Sequence, residues 1–281
     1  MKRSKRKTLG QHFLRNPRLI QKITQVINPS PGDVIIEIGA GQGSLTLALA
    51  NHGSQVVAIE KDPHLAEFLQ SIIPSNVTLI QGDFLRLDLQ KEIVSKISPT
   101  SVVKVVGNLP YSVASPIIIK VFNHKSIFPF WVFLIQEEMA NRFLASPGSK
   151  KIAPLAILLQ NHFEIHRVLR IRPQSFTPPP RVYSSLLTFV KRSSPLFPIE
   201  KEKDFLAFLK KCFACRRKTL ANNLRGANFP LETIKEGLTY LKIPPQARAE
   251  ELELKTFYNL YTFLLSPTKS LNQKNKKRME Q

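Results

Sequence analysis

Asn108-Leu109-Pro110-Tyr111 directly follows the apolar run Val102-Val103-Lys104-Val105-Val106-Gly107, and its residue types suit one chemical problem, alkylation of an exocyclic base amine such as that of adenine. The lone pair of such an amine is delocalised into the ring. It becomes nucleophilic when hydrogen-bond acceptors grip its N–H groups and favour a pyramidal nitrogen. The Asn108 side-chain oxygen supplies one acceptor, the Leu109 carbonyl, stiffened by Pro110, supplies another, and Tyr111 offers a stacking face. The same four residues also fit an ordinary strand followed by a proline turn, so the tetrapeptide needs its context.

That context begins with Glu37-Ile38-Gly39-Ala40-Gly41-Gln42-Gly43, at the end of an expected strand and the start of an expected helix. Glycines there let a ligand approach the backbone closely. A dinucleotide loop favours G-x-G-x-x-G around a pyrophosphate. Here an acid precedes G-x-G-x-G, which suits a phosphate-free cofactor such as S-adenosylmethionine. Glu60, 21 residues beyond Gly39, ends the next strand and can accept from two ribose hydroxyls. Asp83, after a third strand, can accept from an adenine amine. Between Asp33 and Glu92 eight acids face three bases, a local net charge of −5 that fits a cofactor bearing a sulfonium and an ammonium.

Such ligands must be positioned by strand ends, and the sequence supplies them. Short β-branched apolar runs alternate with helical patterns, the signature of βαβ units. Strands are expected near 34–39, 55–60, 77–81, 102–107, 131–136, 163–171 and 184–190. Helices are expected at 43–51, 63–72, 114–122, 137–145 and 153–161, and an amphipathic segment, 17–27, precedes the first strand. After Val190, Ser193-Ser194-Pro195-Leu196-Phe197-Pro198 reads as a linker, followed by helical periodicity over 203–214, 218–225, 231–240 and 255–265. The fold class expected is α/β, a Rossmann-like methyltransferase domain with a mostly parallel seven-stranded sheet over residues 1–192. A small all-α domain over 199–265 and a disordered basic tail over 266–281 complete the chain.

The 281 residues carry 41 Lys and Arg against 20 Asp and Glu, a net charge of +21 that points to a polyanionic partner, nucleic acid before membrane. The basic surplus lies in Lys2–Lys7, Lys150-Lys151, Arg167–Arg172, Lys210-Lys211, Arg216-Arg217-Lys218 and Lys274–Arg278, candidate phosphate contacts except in the tail. No run is long and apolar enough to span a bilayer, and no apolar signal region follows the basic amino terminus, so a cytoplasmic protein is expected. Cys212 and Cys215 form one C-x-x-C. Without a second ligand pair or a βαβ redox context they read as reduced helix residues, and no metal site is expected.

Thr8-Leu9-Gly10-Gln11-His12-Phe13-Leu14, Phe176-Thr177-Pro178-Pro179-Pro180-Arg181-Val182 and Arg216-Arg217-Lys218-Thr219-Leu220-Ala221-Asn222-Asn223-Leu224 complete an ordered set of motifs. With them the chain closely resembles the ribosomal RNA adenine N6,N6-dimethyltransferases of the small-subunit type, from about residue 5 to 265. The resemblance implies transfer of two methyl groups from S-adenosylmethionine to N6 of each of two adjacent adenosines near the 3′ end of small-subunit (16S) ribosomal RNA. The implied partner is an assembling small subunit, and a monomer is expected. It also implies that His12 and Leu14 contact the methionine part of the cofactor, that Gly39 lines its loop, and that Glu60, Asp83 and Asn108 complete that set. Asn108 would face the target amine as well, with Tyr111 and Phe176 sandwiching the adenine. Two departures stand out. Members commonly carry Asn at the position of His12, and where relatives usually have Tyr-Gly this chain has Lys150-Lys151-Ile152-Ala153-Pro154.

Direct displacement on such a target needs no dedicated general base, because the amine becomes strongly acidic as it gains positive charge. Catalysis would rest on positioning and on acceptors that stabilise the developing charge. Competing readings are the antibiotic-resistance type that dimethylates large-subunit RNA, a DNA adenine methylase, and a non-catalytic RNA-binding assembly factor on the same scaffold. The intact Asn108 and glycine loop weigh against the last.

Overall fold

The computed structural model describes residues 12–98 and 101–265, with Lys96 by its backbone alone. The basic run Lys2–Lys7, residues 8–11 and the tail 266–281 lie outside the described residues. Two compact units emerge, one drawn from Met1–Ala140 and Phe163–Arg192, the other from Asn141–His162 and Ser193–Gln281.

The first unit is built on nine strands: β1 (Phe13–Leu14), β2 (Val34–Ile38), β3 (Gln55–Glu60), β4 (Val77–Gln81), β5 (Val103–Asn108), β6 (Phe130–Gln136), β7 (Phe163–Ile171), β8 (Phe176–Thr177) and β9 (Ser184–Lys191). Seven of them form one sheet in the order β4-β3-β2-β5-β6-β9-β7. The first five are parallel, while β9 runs antiparallel to both β6 and β7. Its helices are α1 (Pro17–Ile27), α2 (Ser44–Ala50), α3 (Pro63–Gln70), α4 (Leu89–Glu92), α5 (Ala114–Phe122) and the start of α6 (Glu137–Phe143). All five residues of β2 are buried, as expected of a parallel strand covered on both faces. Along β6 the period of two divides the core: Val132 and Leu134 join the cluster containing Ile23, Ile27 and Leu186. Trp131 and Phe133 face an aromatic group in which Trp131 meets Phe163 at 4.1 Å and Phe189 at 5.4 Å between ring centroids.

The chain winds outward from β2 through β3 to β4, then crosses back to β5 beside β2. The switch point between β2 and β5 opens a crevice at the strands' carboxyl ends, where open α/β sheets bind ligands. Gly107 is needed there. A Cβ on it would lie 2.6 Å from the Ile38 backbone oxygen, so only glycine lets the ends of β2 and β5 approach this closely.

The second unit contains α7 (Pro154–His162), α8 (Glu202–Cys212), α9 (Leu220–Gly226), α10 (Leu231–Tyr240) and α11 (Leu254–Leu265). Residues 141–162, counted with the first domain on sequence grounds, pack with these helices. Buried Asn161 explains part of this: its Nδ2 donates to the Phe197 carbonyl at 3.1 Å, and its Oδ1 accepts from the Phe197 N–H at 2.9 Å. Those bonds fasten the linker to α7. Asn223 does the same for the C-x-x-C segment, donating to the carbonyls of Cys212 and Cys215 and accepting from the Cys215 N–H. Both cysteines are free thiols. Cys212 ends α8 and burial pushes its thiol pKa up, whereas Cys215 lies past the helix, contrary to the expectation of two helix residues.

Candidate active site

Four strand ends converge on a cleft of about 210 Å³, bringing Gly39, Gly41, Glu60, Asp83 and Asn108-Leu109-Pro110-Tyr111 to one place together with His12 and Leu14. Asp62 helps to hold Glu60 in place. Its side chain caps α3 by accepting from the His64 N–H at 2.9 Å, next to Pro63 in the first turn, while its own N–H donates to Glu60 Oε1 at 2.8 Å. The Gly41 N–H donates to Glu60 Oε2 at 2.7 Å. Buried Glu60 therefore has each oxygen held by one backbone donor, and further lone pairs remain for a ligand's hydroxyls.

This arrangement decides which ligand suits the loop. The Gly41 N–H, which in a pyrophosphate loop would point at phosphate, is engaged by a carboxylate, and a second buried acid lies next to it. Glu37 accepts from Thr46 Oγ1 at 2.5 Å and lines the same cleft. Burial pushes its pKa up from 4.5 to about 8, against the hydrogen bond from Thr46 and reinforced by repulsion from Glu60. An anionic ligand group would meet two acids here, whereas a cationic, phosphate-free nucleoside finds complementary charge. Asp83 closes the far side. Lys61 Nζ donates to its Oδ2 at 2.9 Å and the Leu85 N–H to its Oδ1 at 3.0 Å, and the Lys61 contact leads in holding its carboxyl below the usual range. The segment after Asp83 is pinned from α5: Lys120 Nζ donates to the Phe84 carbonyl at 2.7 Å and to the Leu87 carbonyl at 2.5 Å.

The amino-terminal segment completes the cleft. β1 pairs antiparallel with β8, Phe13 opposite Thr177 and Leu14 opposite Phe176. The imidazole Nδ1 of His12 donates to the Pro178 carbonyl at 2.7 Å. Phe13 lies over the glycine loop so closely that a Cβ on Gly41, whose φ is 59°, would sit 3.2 Å from its ring. Most consequential, Asn108 Nδ2 donates to the His12 backbone carbonyl at 2.7 Å. A carbonyl can only accept, so the amide nitrogen must face it, and Oδ1 is left for the cleft. Tyr111 stands next to this pair with its ring 5.8 Å from that of His12, and its hydroxyl is 2.8 Å from Ser184 Oγ.

Phe176 does not join them. The expected second wall of an adenine sandwich is only 3% exposed and packs in the core cluster with Leu14, Ile171 and Leu186. The reason is register: residues directly opposite in a strand pair share a face, and the face shared by Leu14 and Phe176 is the core face. The Phe-Thr-Pro-Pro-Pro turn instead holds the segment that bears His12. Two candidate phosphate contacts are likewise engaged in structure. Arg170 pairs with Glu137 at 2.6 Å and lies 4.0 Å from the Tyr183 ring centroid, and Arg216 donates to the carbonyls of Lys150 and Ile152, bracing the loop that bears them.

Several residues of the site were not singled out on sequence grounds. Phe13 and Phe84 line the cleft, Thr46 partners Glu37, and Ser184 partners Tyr111. Phe13 lies inside a quoted motif and Phe84 directly follows Asp83, which is a usable signal. Thr46 and Ser184 are reached only through tertiary pairing.

Comparison with known proteins identifies the family. The chain is 37% identical over 270 residues to "Ribosomal RNA small subunit methyltransferase A" of Geobacter sulfurreducens, covering 95% of this chain and 97% of that protein. It is 35% identical to the protein of the same name from Staphylococcus carnosus, covering 92% and 90%. Among solved structures, a dimethyladenosine transferase from Plasmodium falciparum superposes with a TM-score of 0.73 at 24% identity, over 89% of this chain and 96% of that one. The 23S rRNA methyltransferase ErmE gives 0.64 at 22%, over 90% and 99%. At those identities both speak for the fold alone. The family model described as ribosomal RNA adenine dimethylase matches residues 2–265, nearly the whole chain, and the chain belongs to that family.

Proposed function

We propose that this protein transfers methyl groups from S-adenosylmethionine to N6 of two adjacent adenosines near the 3′ end of small-subunit ribosomal RNA, in the cytoplasm and on an assembling small subunit. The observation that carries the reading is the orientation of Asn108, whose amide nitrogen is fixed on the His12 carbonyl so that Oδ1 is offered to the cleft. The names of the curated relatives support the small subunit as the substrate.

The residues present fit the methyl donor: two buried acids, a loop N–H engaged by carboxylate, and Asp83 at the rim. When bound, S-adenosylmethionine supplies an electrophilic methyl group on a sulfonium. Glu60 would hold the ribose hydroxyls and Asp83 the adenine amine. Asn108 Oδ1 and the Leu109 carbonyl would accept from the two N6 hydrogens of the target, pyramidalise its nitrogen and stabilise the positive charge that develops there. Tyr111 would support the base by its face. The target must be extruded or single-stranded to reach these groups.

The test is methylation of undermodified small subunits, large subunits and naked RNA with labelled donor, followed by mapping of the modified base. Dimethyladenosine at two adjacent positions of the small-subunit RNA is expected. Labelling confined to large-subunit RNA refutes the assignment.

A further inference from the structure

Tyr111 lines the cleft together with Asn108, and what holds its ring becomes a functional question. Its hydroxyl lies 2.8 Å from Ser184 Oγ. Ser184 is fully buried at the first position of β9, paired on one side with Gln136 of β6 and on the other with Ile171 of β7. A side chain on a strand held from both sides has little freedom, whereas Tyr111 sits in the turn after β5, partly exposed to the cleft. We infer that Ser184 is a positioning residue for the acceptor site, whose hydroxyl fixes the Tyr111 ring at the angle that receives the base.

The inference rests on the reading that the cleft takes an adenosine acceptor. Burial raises the Tyr111 pKa, so the phenol stays neutral and able both to donate and to accept. Ser184→Ala removes one hydrogen-bonding group beside a half-buried hydroxyl, leaving that hydroxyl unsatisfied unless the ring turns toward solvent. The consequence falls on the acceptor and not on the methyl donor, whose contacts Gly39, Glu60 and Asp83 lie at or just beyond the carboxyl ends of β2, β3 and β4.

The test is steady-state methylation by the full-length protein with acceptor and donor varied separately. Ser184→Ala should lower kcat/KM for the RNA about tenfold, the worth of one net hydrogen bond, and leave the donor KM within about twofold. Tyr111→Phe should behave the same way, the double variant should be no worse than either single, and Ser184→Thr should restore most of the activity. Additive losses in the double variant, or a loss seen only in the donor KM, overturn the inference. A readout free of substrate identity separates it from the functional reading: the ring resonances of carbon-13-labelled Tyr111 should shift or broaden in Ser184→Ala. Unchanged resonances overturn the role of Ser184 whatever RNA is methylated, while methylation of a different RNA overturns the functional reading alone.

Discussion

Glu37 should make the α/β unit less stable as pH rises, and replacing it with glutamine should remove that dependence. The residue is 3% exposed, its carboxyl is held by Thr46 and faced by Glu60, and its pKa is pushed up to about 8 from 4.5. A group that binds its proton more tightly when folded contributes stability that is fully present below the unfolded pKa and is lost as pH climbs toward the folded one. At 1.36 kcal/mol per pH unit, the loss between about pH 5 and about pH 8 is roughly 3–4 kcal/mol. Urea unfolding followed by the fluorescence of Trp131, fully buried on β6 and the one tryptophan in the chain, reports on this unit. The difference between Glu37→Gln and the parent protein should grow by about that amount across the window. Saturating S-adenosylmethionine should flatten the parent's slope, because a cation in the cleft favours the ionised carboxylate. Parallel pH profiles for the two proteins would refute the claim that Glu37 is a neutral buried acid.

Asn108→Ala and Asn108→Asp should both lower kcat by roughly 10²–10³, the cost of one well-placed polar group, with RNA affinity and its salt dependence retained in filter binding. The aspartate variant tests the orientation argument, since it presents oxygen to the His12 carbonyl where a donor is required. Gly107→Ala should cost about 1–3 kcal/mol in urea unfolding through the clash with the Ile38 oxygen, and an unchanged midpoint would contradict the close approach of β2 and β5. In native protein Cys215 should alkylate well before Cys212, whose thiol is buried and held protonated, and equal rates measured by mass spectrometry would contradict this.

The residues that could be read from sequence are those whose meaning is local. β2, β3 and β5 are apolar runs ending in a glycine loop, an acid and an Asn-Leu-Pro-Tyr turn, and the structure brings those ends to one cleft. The two-residue strands β1 and β8 could not be read, because two residues carry no periodicity. Phe176 illustrates the limit: a phenylalanine before three prolines suits an exposed stacking platform as well as a core, and only the register against Leu14 decides. The structural roles of Asn161, Asn223 and Arg216 escaped for a related reason. Each satisfies backbone groups distant in sequence, and such partners exist only once the chain has folded.

The bond from Asn108 to the His12 carbonyl has an evolutionary corollary. Every amino acid presents a main-chain carbonyl, so the identity of residue 12 can drift without disturbing the amide it orients. What cannot drift is alignment: slipping β1 by one residue against β8 would turn Leu14 out of the core and carry the carbonyl away from Asn108. Selection on this part of the catalytic apparatus therefore acts on the pairing of a two-residue ribbon, and an insertion between His12 and Asn16 should be more damaging than most substitutions there.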